Sequence, residues 1–444
     1  MKKTIRILSL ALTLCLLLSA VAIPSLAYEQ RKVTLDIICR DLKIVVDGVT
    51  ITPKNVNGAF VEPFLYKGTT YLPVRAVAEA LDRQVDWDGD TGTVYITTTS
   101  GQPATPKPGD GTPGTNLRKP VEVIYRDIGI IIDGVPVVPR DAAGNIVEPF
   151  LIAGTTYLPI RAVAEALGKE VGWDGDTGTV SIFDPEREDI TVSTAAEFID
   201  AIGSNRNLLL EPGIYNIAAD DMGAVDNESV GWEEVFDGHQ MDVMFVKNMT
   251  IRGVGEEPVE LIVDPRYAYV MRFMYCRNIA IENVTAGHSE GGYCVGGVFG
   301  FNWCAGITIE KADMYGCGTE GLGLVATNGV TVRDSSIFEC TERIIEIKIC
   351  ENILFENCLF RDNGKYSLVN IKGGENITFL NSEFRNNSVD DGYLFFAVSF
   401  SENIRVKNTK FIDNKAKILD ESGVVTFENC VFEGNSFPIP TEPG

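Results

Sequence analysis

Six polar side chains that could act together recur at matching positions in the second half of the sequence. They are Glu320, Arg343, Glu346, Lys348, Asn370 and Lys372. In a strand over this stretch, Ile345 and Ile347 would point inward, leaving Glu346 and Lys348 outward. We therefore expect the other four residues to lie on the same outer face or at the turn before it.

This set offers a carboxylate together with two lysines and an arginine on adjacent strands. Such a set can bind a uronate sugar, and it can supply the base of a β-elimination. The alternative is a solvated polar face on which charges of both signs alternate for solubility.

A second candidate set lies in an insertion that spans residues 220–240, together with one histidine further on. It comprises Trp232, Glu233, Asp237, His239 and His288. An aromatic ring beside carboxylates and a histidine in a long loop can stack against a sugar and hydrogen-bond to it. In the alternative interpretation, Trp232 covers the end of the core and His288 is a hydrogen-bonded turn residue.

Metal chemistry has little support in the residue types. The chain has only two histidines, and its ten cysteines follow no zinc-binding spacing. We expect no metal or other cofactor. Calcium, which needs clustered oxygen ligands, lacks support in the sequence.

The charge balance limits the partners. The chain has 444 residues and a formal net charge of −24, which repels nucleic acid. A polysaccharide or cell-wall component remains compatible with this charge. An acidic polymer would need a local groove of basic side chains or a bridging cation. No apolar stretch after the N-terminal segment is long enough to span a membrane.

The N-terminus predicts export. Lys2, Lys3 and Arg6 precede an apolar run, and Ser25 and Ala27 are the small residues that a cleavage site requires. We expect a signal peptide over residues 1–27 and a secreted, extracellular or envelope-associated mature protein. Its nine remaining cysteines leave at least one thiol unpaired.

A tandem repeat organises the first half of the chain. Gly68–Pro73 recurs 86 residues later as Gly154–Pro159, and about 35 of 56 positions from Asp41 and Asp127 onward are identical. Each copy predicts a small α+β unit, with a helix after the proline and a Gly-rich turn before the last strand. We place the copies at residues 32–98 and 118–184, joined by a Pro/Gly/Thr-rich linker over residues 99–117.

The motif from Gly68 to Leu81, followed by Val85–Asp88, resembles the copper amine oxidase N-terminal-like domain, also called the stalk domain. The resemblance implies a non-catalytic spacer or envelope-interaction module. Neither copy contains a histidine, so copper binding and amine oxidation are not carried over.

A short phrase recurs eight times from residue 248 onward, mostly at intervals of about 21–30 residues. Examples are Asn248–Ile251, Asn278–Ile281 and Asn376–Phe379. A second phrase places Phe360, Phe384, Phe411 and Phe432 at one position of successive coils, which predicts an internal aromatic stack. We also expect asparagines at the turns to bond to neighbouring coils, and Cys358 and Cys430 to be buried thiols.

This pattern resembles the right-handed parallel β-helix of pectate-lyase-like proteins, over about residues 186–438, with an N-terminal helical cap beginning at Thr194. The predicted fold is mostly β: a single-stranded right-handed parallel β-helix preceded by two small α+β stalk domains. The carboxylate sets of pectate lyases and polygalacturonases have no match, so no catalytic residue is assigned.

Three functions remain open. The first is presentation of a β-helix on stalk modules to bind glycan or a surface partner without catalysis. The second is a polysaccharide lyase or glycoside hydrolase acting on an acidic polymer, and the third is a structural adhesin. The absence of a matching catalytic set favours the first, and amine oxidation is excluded.

Overall fold

The computed structural model describes residues 30–438 except 56, 82, 89–91, 99–108, 111, 133–134, 142, 218–226, 290–294, 317 and 398–399. The predicted signal peptide and most of the predicted linker lie outside the described residues. No helix within the described residues is long and apolar enough to cross a membrane.

The first half of the chain contains two helices and fourteen strands among the described residues. The helices are α1 (Val74–Ala80) and α2 (Ile160–Ala166). The strands are β1 (Arg31–Arg40), β2 (Lys43–Val46), β3 (Val49–Ile51), β4 (Phe64–Tyr66), β5 (Thr69–Pro73), β6 (Arg83–Asp88), β7 (Thr93–Thr98), β8 (Asn116–Tyr125), β9 (Gly129–Ile132), β10 (Val135–Pro136), β11 (Phe150–Ile152), β12 (Thr155–Pro159), β13 (Glu170–Asp174) and β14 (Thr179–Phe183).

Strands of both repeats share every sheet of this half. A closed barrel has the order β1-β4-β5-β12-β11-β8, and two four-stranded sheets have the orders β10-β9-β7-β6 and β13-β14-β2-β3. The repeat bounds at 32–98 and 118–184 stay predictions. The structure adds that the two copies are interleaved, because the last strands of each copy pair with the first strands of the other.

Helices α1 and α2 pack against the strands of these sheets. Each follows a proline, Pro73 or Pro159, whose fixed φ suits the start of a helix. The apolar residues Val74, Val77 and Ala78 recur at helical spacing and are buried in one core with their counterparts in the second repeat.

Helix α3 (Ala195–Ala201) lies near the start of the second half, directly after its first strand. The Thr194 hydroxyl accepts a hydrogen bond from Glu197 N, and the Glu197 carboxylate accepts one from Ser193 N at 2.8 Å. Phe198 and Ile199 are buried against the first coil. The helical cap predicted at Thr194 is therefore present.

Twenty-four strands, the first of which precedes α3, form one continuous sheet. They are β15 (Glu188–Val192), β16 (Arg206–Leu210), β17 (Gly213–Asn216), β18 (Val230–Val235), β19 (Gly238–Met244), β20 (Lys247–Gly253), β21 (Val259–Val263), β22 (Met271–Met274), β23 (Arg277–His288), β24 (Phe299–Asn302), β25 (Ala305–Tyr315), β26 (Leu322–Val325), β27 (Asn328–Arg333), β28 (Ser336–Phe338), β29 (Ile345–Glu356), β30 (Leu359–Arg361), β31 (Val369–Leu380), β32 (Glu383–Arg385), β33 (Ser388–Ala397), β34 (Glu402–Lys407), β35 (Lys410–Ile412), β36 (Lys415–Asp420), β37 (Val425–Glu428) and β38 (Val431–Glu433).

These strands form the three faces of a right-handed parallel β-helix. Face A contains β19, β22, β24, β26, the first parts of β29 and β31, and the end of β33. Face B contains β20, β27, β34 and β37, and face C contains β21, β28, β30, β32, β35 and β38. Each coil runs from face A through face B to face C, and longer loops return the chain to face A.

The predicted inward stacks are present. On face B, Met249, Ile279, Ile307, Val330, Ile353, Ile377 and Ile404 pair in succession and are buried. On face C, Phe360, Phe384, Phe411 and Phe432 are in register, with ring centroids 4.6, 5.1 and 5.0 Å apart along the stack. These stacks form the core of the solenoid.

Asparagines bond neighbouring coils as expected. The buried Asn387 side chain accepts from Asn363 Nδ2 at 3.0 Å and donates to Asn414 Oδ1 at 2.8 Å. At other turns, asparagines such as Asn376 and Asn403 adopt left-handed backbone angles, where a short polar side chain is tolerated.

The described cysteines are thiols. Cys358 is buried, and its Sγ lies 3.4 Å from Val332 O; Cys430 is half-buried in the equivalent place on a later coil. Burial raises the pKa of Cys358 to about 12, so this thiol is unreactive.

Candidate functional site

One line of outward residues crosses the strands of face A. The pairing register places Asp242, Arg272, Gly300, Gly323, Glu346 and Asn370 side by side on consecutive coils. We call this line the central column. Lys348 and Lys372 pair with each other two residues further along their strands, as predicted.

Glu346 lies at the centre of a cluster of cations. Its carboxylate is 2.8 Å from Arg343 Nη1, 3.0 Å from Lys348 Nζ and 3.5 Å from Lys372 Nζ, and it accepts a hydrogen bond from Asn370 Nδ2 at 2.7 Å. Five of the six residues in the first predicted set therefore meet at one place.

Burial distinguishes this cluster from an ordinary charged surface. The Glu346 side chain is 2% exposed, whereas those of Lys348 and Lys372 are 43% and 44% exposed. The alternative of a fully solvated polar face is therefore wrong for Glu346 and for Asn370, which is also buried. A buried carboxylate here holds exposed ammonium groups in place.

The electrostatics keep Glu346 ionised. Burial alone would raise the pKa of its carboxyl, but the hydrogen bond from Lys348 and the charges of Arg343 and Lys348 bring the pKa below its ordinary value. Within the described residues, the Asn370 Oδ1 atom beside this carboxylate is buried without a hydrogen-bond partner.

A second ion-pair cluster occupies the other end of the central column. The Arg272 guanidinium meets Asp242 through two bonds, Nε–Oδ1 and Nη2–Oδ2, each 2.8 Å long, and it also contacts Glu233. Gln240 Nε2 donates to Asp242 Oδ1 at 3.2 Å. Two carboxylates thus surround one guanidinium, so this end carries an excess of negative charge.

Between the two clusters, Gly300 and Gly323 leave a shallow surface without side chains, which we call the glycine floor. The Tyr269 side chain lies across it. A Cβ at Gly300 would lie 3.1 Å from Tyr269 Cε1, and one at Gly323 would lie 3.1 Å from the Tyr269 hydroxyl. That hydroxyl donates to Glu320, whose side chain is buried. Glu320 therefore joins the floor through Tyr269.

The second predicted set has a different arrangement from the expected long loop. Residues 230–244 form an antiparallel hairpin of β18 and β19, while residues 220–226 lie outside the described residues. Trp232 is half-buried and packs against the core of the solenoid. Glu233 extends from the same strand to Arg272, which links the hairpin to the central column.

Asp237 and His288 meet at the turn over residues 265–268. The Asp237 carboxylate accepts hydrogen bonds from Arg266 N at 2.7 Å and Tyr267 N at 3.2 Å, and His288 Nε2 lies 2.9 Å from Ala268 O. His288 is 2% exposed, and its burial lowers its pKa. His239 is half-buried near the hairpin tip.

Sequence reasoning missed Asp242, Arg272 and Tyr269. The register that contains Glu346 continues backward through Gly323 and Gly300 to Arg272 and Asp242. The signal was present, because Arg272 is a lone cation between the apolar residues Met271 and Phe273. Tyr269 lies before its strand, where alternation gives no signal.

No three His, Cys, Asp or Glu side chains in the described part of the chain are grouped so as to hold a metal ion. The expectation that no cofactor is required stays a prediction.

Solved structures with a similar fold include two pectate lyases and an alginate lyase. A pectate lyase from Paenibacillus sp. 0602 is 8% identical with a TM-score of 0.40, and the alignment covers 55% of this chain and 78% of that one. An alginate lyase from Paenibacillus sp. str. FPU-7 is 14% identical with a TM-score of 0.32, covering 56% and 95%. A pectate lyase from Bacillus sp. N165, in complex with trigalacturonate, is 14% identical with a TM-score of 0.36, covering 62% and 88%. Similarity at this level does not identify an activity.

No curated protein matches the sequence. Two family models do match. The model of the copper amine oxidase N-terminal domain matches residues 45–143 and 131–197, and the model of the right-handed β-helix region matches residues 246–388. The chain thus carries two copper amine oxidase N-terminal domain regions followed by a right-handed β-helix region.

Proposed function

We propose that this protein is exported and binds an acidic polysaccharide on face A of its β-helix. The observation that supports this most is the buried Glu346, which holds Arg343, Lys348 and Lys372 together at the surface. A carboxylate-bearing polymer would meet the two exposed ammonium groups and the edge of the guanidinium.

The charge of the cluster supports an anionic ligand. Three cations contact two carboxylates, Glu346 and Glu342, which leaves one positive charge in a chain whose net charge is −24. Because the surroundings are acidic, such a local excess would orient an anionic polymer toward this part of face A.

The interleaved first half would serve as the stalk in this proposal. Asn248 Nδ2 donates to Gly168 O at 2.9 Å, and Lys247 Nζ lies 3.5 Å from Glu165 O. These contacts join the second repeat to the first coils of face B, so that face A stays available to a ligand.

The test is binding of the full mature chain to polygalacturonate and alginate by affinity electrophoresis and calorimetry. Exchanging Lys348→Gln and Lys372→Gln together should weaken binding by about tenfold or more and flatten its salt dependence. The matched control exchanges Lys410→Gln and Lys415→Gln, two exposed lysines outside face A. No binding by the wild type, or an equal loss in the control, overturns the proposal.

One contact favours a second candidate, a lyase acting on the same polymer. The Tyr269 hydroxyl donates to the buried Glu320 above the glycine floor, and Thr319, the residue before Glu320, accepts a hydrogen bond from Arg343 N at 2.8 Å. β-Elimination needs a base near the sugar ring and a cation that neutralises the sugar carboxylate. Glu320 would be the base and Arg343 the cation. Absorbance of an unsaturated product, assayed with and without calcium, distinguishes a lyase from a binding protein. If the protein neither binds nor cleaves these polymers, the structural adhesin becomes the favoured interpretation.

A further inference from the structure

Three aromatic side chains form a stack on the outside of the β-helix. Phe245, Tyr275 and Trp303 lie on consecutive coils at the corner where face A turns into face B. The ring centroids of Phe245 and Tyr275 are 5.3 Å apart and nearly parallel, as are those of Tyr275 and Trp303. Their exposed fractions are 66%, 39% and 37%, so all three rings reach solvent.

These residues occupy strained backbone. Their φ angles are 59°, 57° and 53°, in the left-handed region that bulky residues rarely adopt. The next two coils place Ala326 and Ile349 at the same corner with φ of 47° and 55°. We call the five residues the corner column.

The corner column differs from the other left-handed positions of the described β-helix. Those positions are occupied by Asn, Asp, Gly, Lys or Glu, whereas every apolar left-handed residue of the solenoid lies in the corner column. Asparagine would fit the backbone better. A bulky residue kept where asparagine would reduce the backbone strain indicates a role other than folding.

The corner column borders the site already described. Ile349 follows Lys348 directly, and Trp303 follows Asn302, which pairs through Val325 with Lys348. A polymer that lies across the coils at the exposed lysines therefore passes along the corner column. The backbone there is held coil to coil, since Tyr275 N donates to Asn302 O at 3.0 Å and Trp303 N to Val325 O at 2.8 Å.

We infer that Phe245, Tyr275 and Trp303 are a sugar-stacking track on which the pyranose rings of the polysaccharide lie, one coil after another, along the axis of the solenoid. The outward parts of the three stacked rings offer an apolar surface to the C–H groups of sugar rings, and the flanking lysines contact their carboxylates. The identity of the polymer rests on the proposed function, while the stacking rests on the aromatic rings.

The test replaces Tyr275→Asn and Trp303→Asn, singly and together. Asparagine suits the left-handed backbone, so all three variants should fold with an unchanged or raised melting temperature. Lys311→Asn is the matched control, because Lys311 has φ of 52° at the corner between faces B and C. Binding to polygalacturonate, alginate and the neutral polymer xylan is measured for each variant at low and high salt.

We expect Trp303→Asn to lower affinity for the acidic polymers by roughly tenfold while the salt dependence stays that of the wild type. Wild-type affinity in the folded Tyr275→Asn/Trp303→Asn variant would overturn the stacking track and leave the proposed function standing. Binding to xylan that needs Trp303 and not the lysines would overturn the acidic ligand and keep the track. Failure of the wild type to bind any of the three polymers would overturn both.

Discussion

Leu35 pairs with Val121, its own counterpart in the second repeat, in the long antiparallel ladder between β1 and β8. The same holds for Leu72 and Leu158 between β5 and β12. In an antiparallel pair, equivalent residues meet only where a two-fold axis crosses the ladder. The barrel is therefore a pseudo-symmetric dimer of repeats within one chain.

The parallel pairings obey the same symmetry. Ile44 of the first repeat pairs with Val180, and Ile130 of the second pairs with Val94. Each repeat thus completes its sheets with strands of the other. Neither repeat has a closed set of strands by itself, so the two should unfold together.

Cutting the predicted linker should leave the two repeats associated. A protease site inserted within residues 99–108, between β7 and β8, allows the full chain to be cleaved outside the described strands. Because the ladders between repeats persist, both fragments should co-elute in size-exclusion chromatography and separate only in denaturant. Elution of the N-terminal fragment alone from native buffer would contradict the interleaved fold, and the chain without the site is the control.

Replacing Glu346 should destabilise the β-helix more than its single charge suggests. In Glu346→Gln, the three cations lose the buried carboxylate that holds them, at a cost of about 3 kcal/mol in the free energy of unfolding. Urea unfolding followed by circular dichroism measures this. Glu428→Gln, which removes a solvent-exposed pair with Lys407, should change stability by less than about 1 kcal/mol. Equal effects would show that Glu346 is not the anchor.

Replacing a residue of the asparagine stack on the inner side of the turns should destabilise the β-helix about as much as replacing Glu346. Asn387 is fully buried and donates to Phe360 O at 2.9 Å and Asn414 Oδ1 at 2.8 Å. Its Oδ1 also accepts from Asn363. Asn387→Ala leaves these groups unsatisfied and should cost about 3 kcal/mol or more. The exposed Asn429→Gly serves as the control, because glycine tolerates the left-handed backbone at this position. A similarly small loss in both variants would contradict the prediction.

The coils were predictable because every turn of the solenoid repeats the same physical demand. Ile377 and Phe379 must point inward while Thr378 points outward, so alternation and spacing identify the strands and their register together. The phenylalanine stack followed from the same alignment.

The interleaving was not predictable in this way. When two repeats are nearly identical, β2 has equally suitable partners in its own repeat and in the other, and local sequence cannot choose between them. The burial of Glu346 was also hidden, since a charged outward residue predicts exposure until the neighbouring Arg343 and the lysines are placed around it. The corner aromatics appear in the sequence three residues before Asn248, Asn278 and Gly306, but their outward stacking depends on the left-handed backbone.

His288 should make the stability of the β-helix depend on pH between about 6.5 and the range in which carboxylates titrate. Burial, the largest influence, lowers its pKa below the ordinary 6.5 in the folded state. As the pH falls below 6.5, the unfolded chain takes up a proton that the folded chain excludes, so stability decreases until the folded pKa is reached. The urea midpoint at pH 5 should therefore lie below that at pH 7.

In His288→Gln the difference should shrink, whereas His239→Gln, which removes the other histidine, should keep it. An unchanged pH dependence in His288→Gln would show that this ring does not resist protonation in the folded protein.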